Sequence, residues 1–296
     1  MYKYQYTQLH LGVQVRIVVF AEKEEKAKTA VKAAFNRFAT LEDVFSNYRA
    51  TSEVSRLTST TYNKFNKVSN ELFSVLESSI AFSNETHGAF DITLGPLIEL
   101  WRNARKQQVL PDHVSLASAF DRAGWQKVML NAEDQTVKLM AEQMMLDMGG
   151  IAKGFIVDEA MSVLRQHGID RALIEAGGEI LVSGPPPDKP GWFIEVPGAN
   201  TDSRIAQTAR TLKNAAIATS GDTEQFVTID GLRYSHIIDP LTGLGNTSRR
   251  MATVIAPNGE TADKFATALT LMDSLSAEQL IRSHPEVIAF TRVAKD

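Results

Sequence analysis

The hydrophobic period of this chain changes within its first thirty residues, and that change limits what it can fold into. Leu9, Leu11, Val13, Val15, Ile17 and Val19 alternate strictly. A period of two places one row of side chains on one face, so the segment reads as a half-buried strand. Ala27, Ala30, Val31, Ala34, Phe35, Phe38, Leu41, Val44 and Phe45 then recur at spacings of three and four. That is the stripe of a long amphipathic helix. A strand that feeds a long helix needs both sheet and helix layers to bury the two apolar faces.

The mixture continues. A second helix is expected from about Asn70, read as its N-cap, to His87-Gly88. Val128–Leu130 and Thr136–Met140 read as a hairpin, and Ile151–Gln166 as a helix closed by Gly168. Arg171–Glu175 and Glu179–Val182 read as short strands around Gly177-Gly178. Phe226–Ile229 and Leu232–Ile238 flank Asp230-Gly231, a strong two-residue hairpin signal. Met251–Ala256 reads as a strand and Ala262–Met272 as a helix. The breaker run Pro185-Pro186-Pro187-Asp188-Lys189-Pro190 is read as a surface loop rather than a linker. Helices and hairpins follow one another without a regular βαβ rhythm, so the fold class is α+β. One unit over 1–296 is expected, with a possible division into two subdomains.

Composition narrows the function classes. The net charge is −4, and no Lys/Arg cluster resembles a phosphate-backbone footprint, so nucleic acid is not an expected partner. No stretch approaches the roughly 18 apolar residues of a membrane span. There is no cysteine, which excludes disulfides and thiolate metal sites. Met1-Tyr2-Lys3-Tyr4-Gln5-Tyr6 lacks the apolar stretch of a signal peptide. These two absences lead to an expectation of a cytoplasmic protein.

Chemistry is expected where Gly, Asp and hydroxyl residues crowd together. Gly88 through Leu97 reads as a helix stop and a turn. Asp147-Met148-Gly149-Gly150-Ile151-Ala152-Lys153-Gly154 reads as a strand ending at a carboxylate, then glycines, then a helix start. Free N–H groups there suit an anion such as pyrophosphate, and Lys153 could add charge. The same residues fit a structural turn with a surface lysine. His236 stands at a strand end beside Asp239-Pro240 and Thr242-Gly243, where turn chemistry gathers. Asp263 and Thr267 are four apart and share a helix face, so their oxygens suit a hard cation such as Mg²⁺. Equally, Asp263 could favour the helix dipole while Thr267 sits in the core.

Taken in order, these segments resemble the ApbE family of FAD:protein FMN transferases. The matching stretches are Ser46-Asn47-Tyr48-Arg49, Ser52-Glu53-Val54-Ser55-Arg56-Leu57, Gly88-Ala89-Phe90-Asp91, Asp147 to Gly154, Gly177-Gly178, Thr219-Ser220-Gly221-Asp222, His236-Ile237-Ile238-Asp239-Pro240 with Thr242-Gly243, and Ala262-Asp263 through Thr267-Ala268-Leu269. Each is weak alone, and jointly they span nearly the whole chain. The resemblance implies FAD contacts from Tyr48, Ala89, Phe90, Asp91, Asp147, Lys153 and Ile238. It implies Mg²⁺ held by the Gly150 carbonyl, Asp263 and Thr267, with His236 as catalytic base. Leu11-Gly12-Val13 replaces the family's usual Met-Gly-Thr, and Leu11 keeps an apolar contact with the flavin nucleotide possible.

The expected activity is Mg²⁺-dependent transfer of FMN from FAD to a Thr or Ser hydroxyl of an acceptor redox protein, releasing AMP. Two alternatives use the same residues. One is an FAD pyrophosphatase giving FMN and AMP; the other is a non-catalytic FAD-binding protein, for which a base at His236 has no purpose.

Overall fold

The alternating run at the N-terminus folds as two strands. β1 (Tyr2–His10) and β2 (Val13–Ala21) pair antiparallel with His10 opposite Val13, so Leu11-Gly12 is a two-residue turn. Both turn residues have positive φ, 55° at Leu11 and 73° at Gly12. A tight hairpin turn of this hand demands that conformation and normally recruits Asn or Gly for it. Leucine at the first position masks the turn, because it continues the apolar alternation without a break.

The computed structural model describes residues 1–60, 62–196, 209–221 and 226–293. After β2 come α1 (Glu24–Phe45), α2 (Glu53–Thr60), β3 (Asn66–Lys67), α3 (Asn70–Glu85), α4 (Gly95–Gln107) and α5 (His113–Asp121). β4 (Val128–Asn131) and β5 (Thr136–Leu139) form the expected hairpin, and α6 (Ala152–Gln166) follows. Next are β6 (Ala172–Ala176), β7 (Glu179–Val182), β8 (Trp192–Glu195), β9 (Ala209–Leu212) and β10 (Ala215–Ser220). β11 (Phe226–Ile229), β12 (Leu232–Ser235), β13 (Arg250–Ala256), α7 (Gly259–Leu271), α8 (Ser274–Ser283) and β14 (Ile288–Val293) complete the order. The class is α+β, as expected.

Local chemistry explains where the expected boundaries moved. Ser69, not Asn70, caps α3, its hydroxyl accepting the Leu72 N–H at 3.2 Å. Gly95-Pro96 opens α4 rather than closing a turn, since proline in the first helical turn forfeits no hydrogen bond. Asp147 does not end a strand; residues 143–148 run as irregular chain into α6.

Seven strands form an antiparallel sheet in the order β1-β2-β6-β7-β10-β13-β14. Val15, Ile17 and Val19, Ala172 and Ile174, Ala216 and Ala218, and Ala252 and Val254 face one way, into a core shared with α1, α6 and α7. Val18, Leu173, Val182, Ile217 and Ile255 face the other way, against Trp192 and Ile194 of β8. The helix-facing side is rich in alanine under α7, which brings that helix close to the sheet. A separate cluster of Leu97, Trp101, Ala119, Ile229, Tyr234 and Ile238 holds α4, α5 and the β11–β12 hairpin together.

Candidate functional site

Antiparallel pairing gathers the turns at one end of the sheet. Gly177-Gly178 joins β6 to β7 beside the Leu11-Gly12 turn; a Cβ on Gly177 would lie 2.9 Å from Val13 Cγ1. Thr219 and Ser220 end β10 at the same edge, and the Ser220 and Thr267 hydroxyls are 3.4 Å apart. Asp222 lies outside the described residues.

Helices α6 and α7 deliver charge to this end. Lys153 Nζ donates to Glu179 Oε1 at 2.6 Å and lies 3.5 Å from Asp263 Oδ1. Asp263 is 1% exposed and Glu179 3%, so both carboxylates are buried. Burial opposes the charge on Lys153, but Asp263 and Glu179 outweigh it and hold the ammonium above its ordinary range. Burial pushes the Glu179 carboxyl up, Lys153 draws it down, and Asp263 pushes it up again. Lys153 is therefore not a surface lysine.

Asp263 lies in the second turn of α7, and its Oδ2 accepts the Gly154 N–H of α6 at 3.1 Å. It does not serve its own helix terminus, which is capped by Asn258 and by Asp158 of α6. Thr267 is half-buried rather than in the core, and a Cβ on Gly150 would lie 3.0 Å from its Oγ1. Gly150 thus lies against Thr267, one helical turn from Asp263 on α7.

The anion-binding expectation for the start of α6 is narrowed by the structure. The Ala152 N–H bonds the Met148 carbonyl at 2.9 Å, and the Gly154 N–H is taken by Asp263. Hydrogen-bond capacity at this helix start is largely spent inside the protein.

Beside this cluster, Asp147 Oδ1 accepts the Gly149 N–H at 2.8 Å and Oδ2 accepts Arg102 at 3.3 Å. The Arg102 guanidinium also lies 4.9 Å from the centroid of the Tyr48 ring. The Asp147 N–H bonds the Ile92 carbonyl at 2.7 Å, joining the 147–150 segment to residues 89–92. Phe90 is buried against Phe82, and its edge would lie 3.2 Å from a Cβ on Gly150. Asp91 Oδ1 accepts both the main-chain N–H and the hydroxyl of Thr93 at 2.7 Å. Burial raises the Asp91 carboxyl while these bonds lower it, and the net shift is upward. The Phe90 and Asp91 side chains therefore brace the segment, and Ala89, half-buried, stands at its start.

His236 follows β12 in a loop closed on itself. The Asn246 N–H bonds the Ile237 carbonyl at 2.8 Å, and the Asp239 carbonyl accepts Gly243 N–H at 2.9 Å. Asn246 Nδ2 donates to the Thr270 carbonyl at 2.8 Å, tying the loop to α7 one turn beyond Thr267. Ile238 points its side chain into the α4–α5 cluster. Leu11 is half-buried against the main core at the hairpin turn.

For a divalent cation the donor set is hard oxygen. No group of three or more His, Cys, Asp or Glu that could hold a metal occurs among the described residues, so any site must mix donor types. Glu179 Oε2 is buried without a hydrogen-bond partner. This orphaned acceptor, the buried Asp263, the Thr267 hydroxyl and a close glycine fit Mg²⁺.

Sequence reasoning missed Glu179 and Arg102. Glu179 was legible only as the first residue of a strand, and Arg102 lies in a helix of which only the opening, as far as Leu97, was read, and that as a turn.

The fold and site define an α+β protein with a lysine between two buried carboxylates, next to a threonine hydroxyl and a closely packed glycine. Its sequence matches the ApbE family over residues 11–291. It is 35% identical over 233 residues to the FAD:protein FMN transferase of Vibrio cholerae, covering 78% of this chain and 69% of that one. It is 28% identical over 302 residues to the FAD:protein FMN transferase of Treponema pallidum, covering 97% and 83%. The solved flavin transferase ApbE from Vibrio cholerae superposes with a TM-score of 0.89 at 29% identity, over 100% of this chain and 94% of that one. The chain belongs to the ApbE family.

Proposed function

We propose that this protein transfers FMN from FAD to a Thr or Ser hydroxyl of an acceptor protein, with Mg²⁺, and releases AMP. The observation that carries the reading is the convergence of Lys153, Glu179 and Asp263 with Gly150 and Thr267. Membership of a family whose relatives bear that activity in their names supports it.

In this reading the acceptor oxygen attacks the FMN-side phosphorus of FAD. The bond from that phosphorus to the bridging oxygen breaks, and AMP leaves with that oxygen. The hydroxyl proton passes to the His236 imidazole, a role worth about 10²–10⁴-fold in rate. Such transfers depend on positioning and charge neutralisation more than on covalent chemistry. Bound Mg²⁺ would neutralise the diphosphate and the departing AMP. Asp263, Thr267 and the Gly150 carbonyl would hold it, with Lys153 fixed alongside. Tyr48, Asp147, Leu11 and residues 89–91 would meet FAD, and Ile238 would do so through its main chain. The acceptor is expected to be a redox protein bearing Thr or Ser in a short motif with Asp, Gly and Ala. No helix among the described residues is long and apolar enough to cross a membrane. The reading assigns the protein to the cytoplasm, which cell fractionation tests.

The deciding experiment is mass spectrometry of an acceptor peptide after incubation with the protein, FAD and Mg²⁺. The expected result is a gain of one FMN on Thr or Ser, abolished by EDTA. Free FMN and AMP with unmodified peptide would replace the reading by FAD hydrolysis. In parallel, His236→Asn should bind FAD normally and lose transfer; full transfer would remove the base assignment.

A further inference from the structure

Arg102 joins two separate segments of the site, those of Tyr48 and Asp147. It projects from α4, its guanidinium over the Tyr48 ring and one N–H bonded to Asp147. Its neighbour Trp101 faces inward and donates from Nε1 to the Ser235 carbonyl, immediately before His236, at 3.0 Å. One helix therefore supports both the Tyr48–Asp147 side of the site and the histidine loop.

The chemistry of the three groups is complementary. Tyr48 is 83% exposed, so with the guanidinium on one face its ring still presents a surface to a planar ligand. The ring quadrupole attracts the cation, and the planar guanidinium can stack and donate at once. Each oxygen of Asp147 already holds a protein donor, Gly149 on one side and Arg102 on the other. Its carboxylate is thereby fixed in orientation.

We propose that Arg102 is a positioning residue for FAD: it holds the Tyr48 ring and the Asp147 carboxylate as one unit against the dinucleotide. This rests on the reading that the site binds FAD.

Arg102→Ala and Arg102→Lys test it, with the FAD dissociation constant read by flavin fluorescence and KM and kcat by transfer to the acceptor peptide. The expected result for Arg102→Ala is about tenfold weaker FAD binding, with KM for FAD rising by a larger factor than kcat falls. Arg102→Lys should recover only part of the affinity, because a lysine keeps the charge and lacks the planar fork. The double variant Arg102→Ala/Tyr48→Leu should bind FAD about as well as the weaker single variant, since coupled residues are not additive. A thermal melt checks folding: a fall in midpoint and kcat with no change in FAD affinity would mean a structural role and overturn the proposal. Arg102→Ala binding FAD within about twofold of the parent, or strict additivity in the double variant, would also overturn it. If the parent protein itself failed to bind FAD, the functional reading would fall and this inference with it.

Discussion

Glu179 opens β7 with its side chain almost fully enclosed and one carboxylate oxygen unpartnered. A buried charge is costly unless paired, and here one lysine serves two acids. With Lys153 shared, burial and Asp263 hold the Glu179 carboxyl above its ordinary range, and a further cation at the cluster would release its proton. Glu179→Gln keeps the shape but cannot ionise to meet a cation, so the Mg²⁺ concentration for half-maximal transfer should rise about tenfold, worth about 1.4 kcal/mol. A Mg²⁺ titration of parent and variant reads this directly, and coincident curves would take Glu179 out of the metal environment. Asp263 and Thr267 were legible at this scale because four residues is a helix-face spacing. Glu179 was not, because its partners Lys153 and Asp263 are brought to it by the sheet.

At the scale of elements, α6 and α7 hold each other by reciprocal bonds. Asp158 of α6 accepts the N–H groups of Gly259 and Glu260 at 2.7 and 2.9 Å, while Asp263 of α7 accepts the Gly154 N–H of α6. Between these bonds Gly154 meets Gly259 so closely that a Cβ on Gly154 would overlap the Gly259 carbonyl. Gly154→Ala must push the helices apart, and overpacking of this kind costs about 1–3 kcal/mol. Thermal denaturation without ligands should show the loss, and because Asp263 moves with α7, the Mg²⁺ requirement should rise with it. An unchanged midpoint would mean the contact can open without penalty.

A second tie between elements is sensitive to pH. His284, after α8, lies within hydrogen-bond distance of Glu85 at 2.6 Å and Glu286 at 3.0 Å, one carboxylate on each ring nitrogen, with Phe265 against its ring. Burial works against the imidazolium, but the hydrogen bonds and charges of Glu85 and Glu286 outweigh it, and the histidine is held above its ordinary range. A raised folded-state value means the folded protein holds the proton more tightly. The stabilisation is therefore fully present below about pH 6.5, the ordinary histidine value, and is lost as pH rises through the folded-state value. Melting midpoints across this window should fall more steeply for the parent than for His284→Gln. Parallel profiles would show that the tie contributes nothing to stability.

At the scale of the molecule, the proposed function has residues far apart in sequence serve one ligand set, so ligand binding should report on the whole fold. FAD and Mg²⁺ together should raise the melting midpoint more than the sum of either alone. A ligand at a hundred times its dissociation constant adds about 2.7 kcal/mol to stability. Strictly additive shifts would separate the metal from the FAD site.

The sequence by itself determined the periods of most major elements, the α+β class and the ordered set of motifs that mark the family. All of these are local: a helix face repeats every three to four residues, a hairpin turn occupies two, and a motif is read along the chain. It missed α4 because Gly95-Pro96 is ambiguous between turn and helix start, and it missed the Leu11-Gly12 turn because leucine preserved the alternation. Tertiary structure decided which charges meet. Lys153, equally readable as a surface group, sits between two buried carboxylates, and Phe90, Asp91 and Ile238 turn their side chains inward to support main chain. Those outcomes follow from antiparallel pairing, which brings the Gly177-Gly178 turn and Glu179 to the end of the sheet that α6 and α7 reach. Such pairing depends on burial summed over whole faces, not on the neighbours of any one residue.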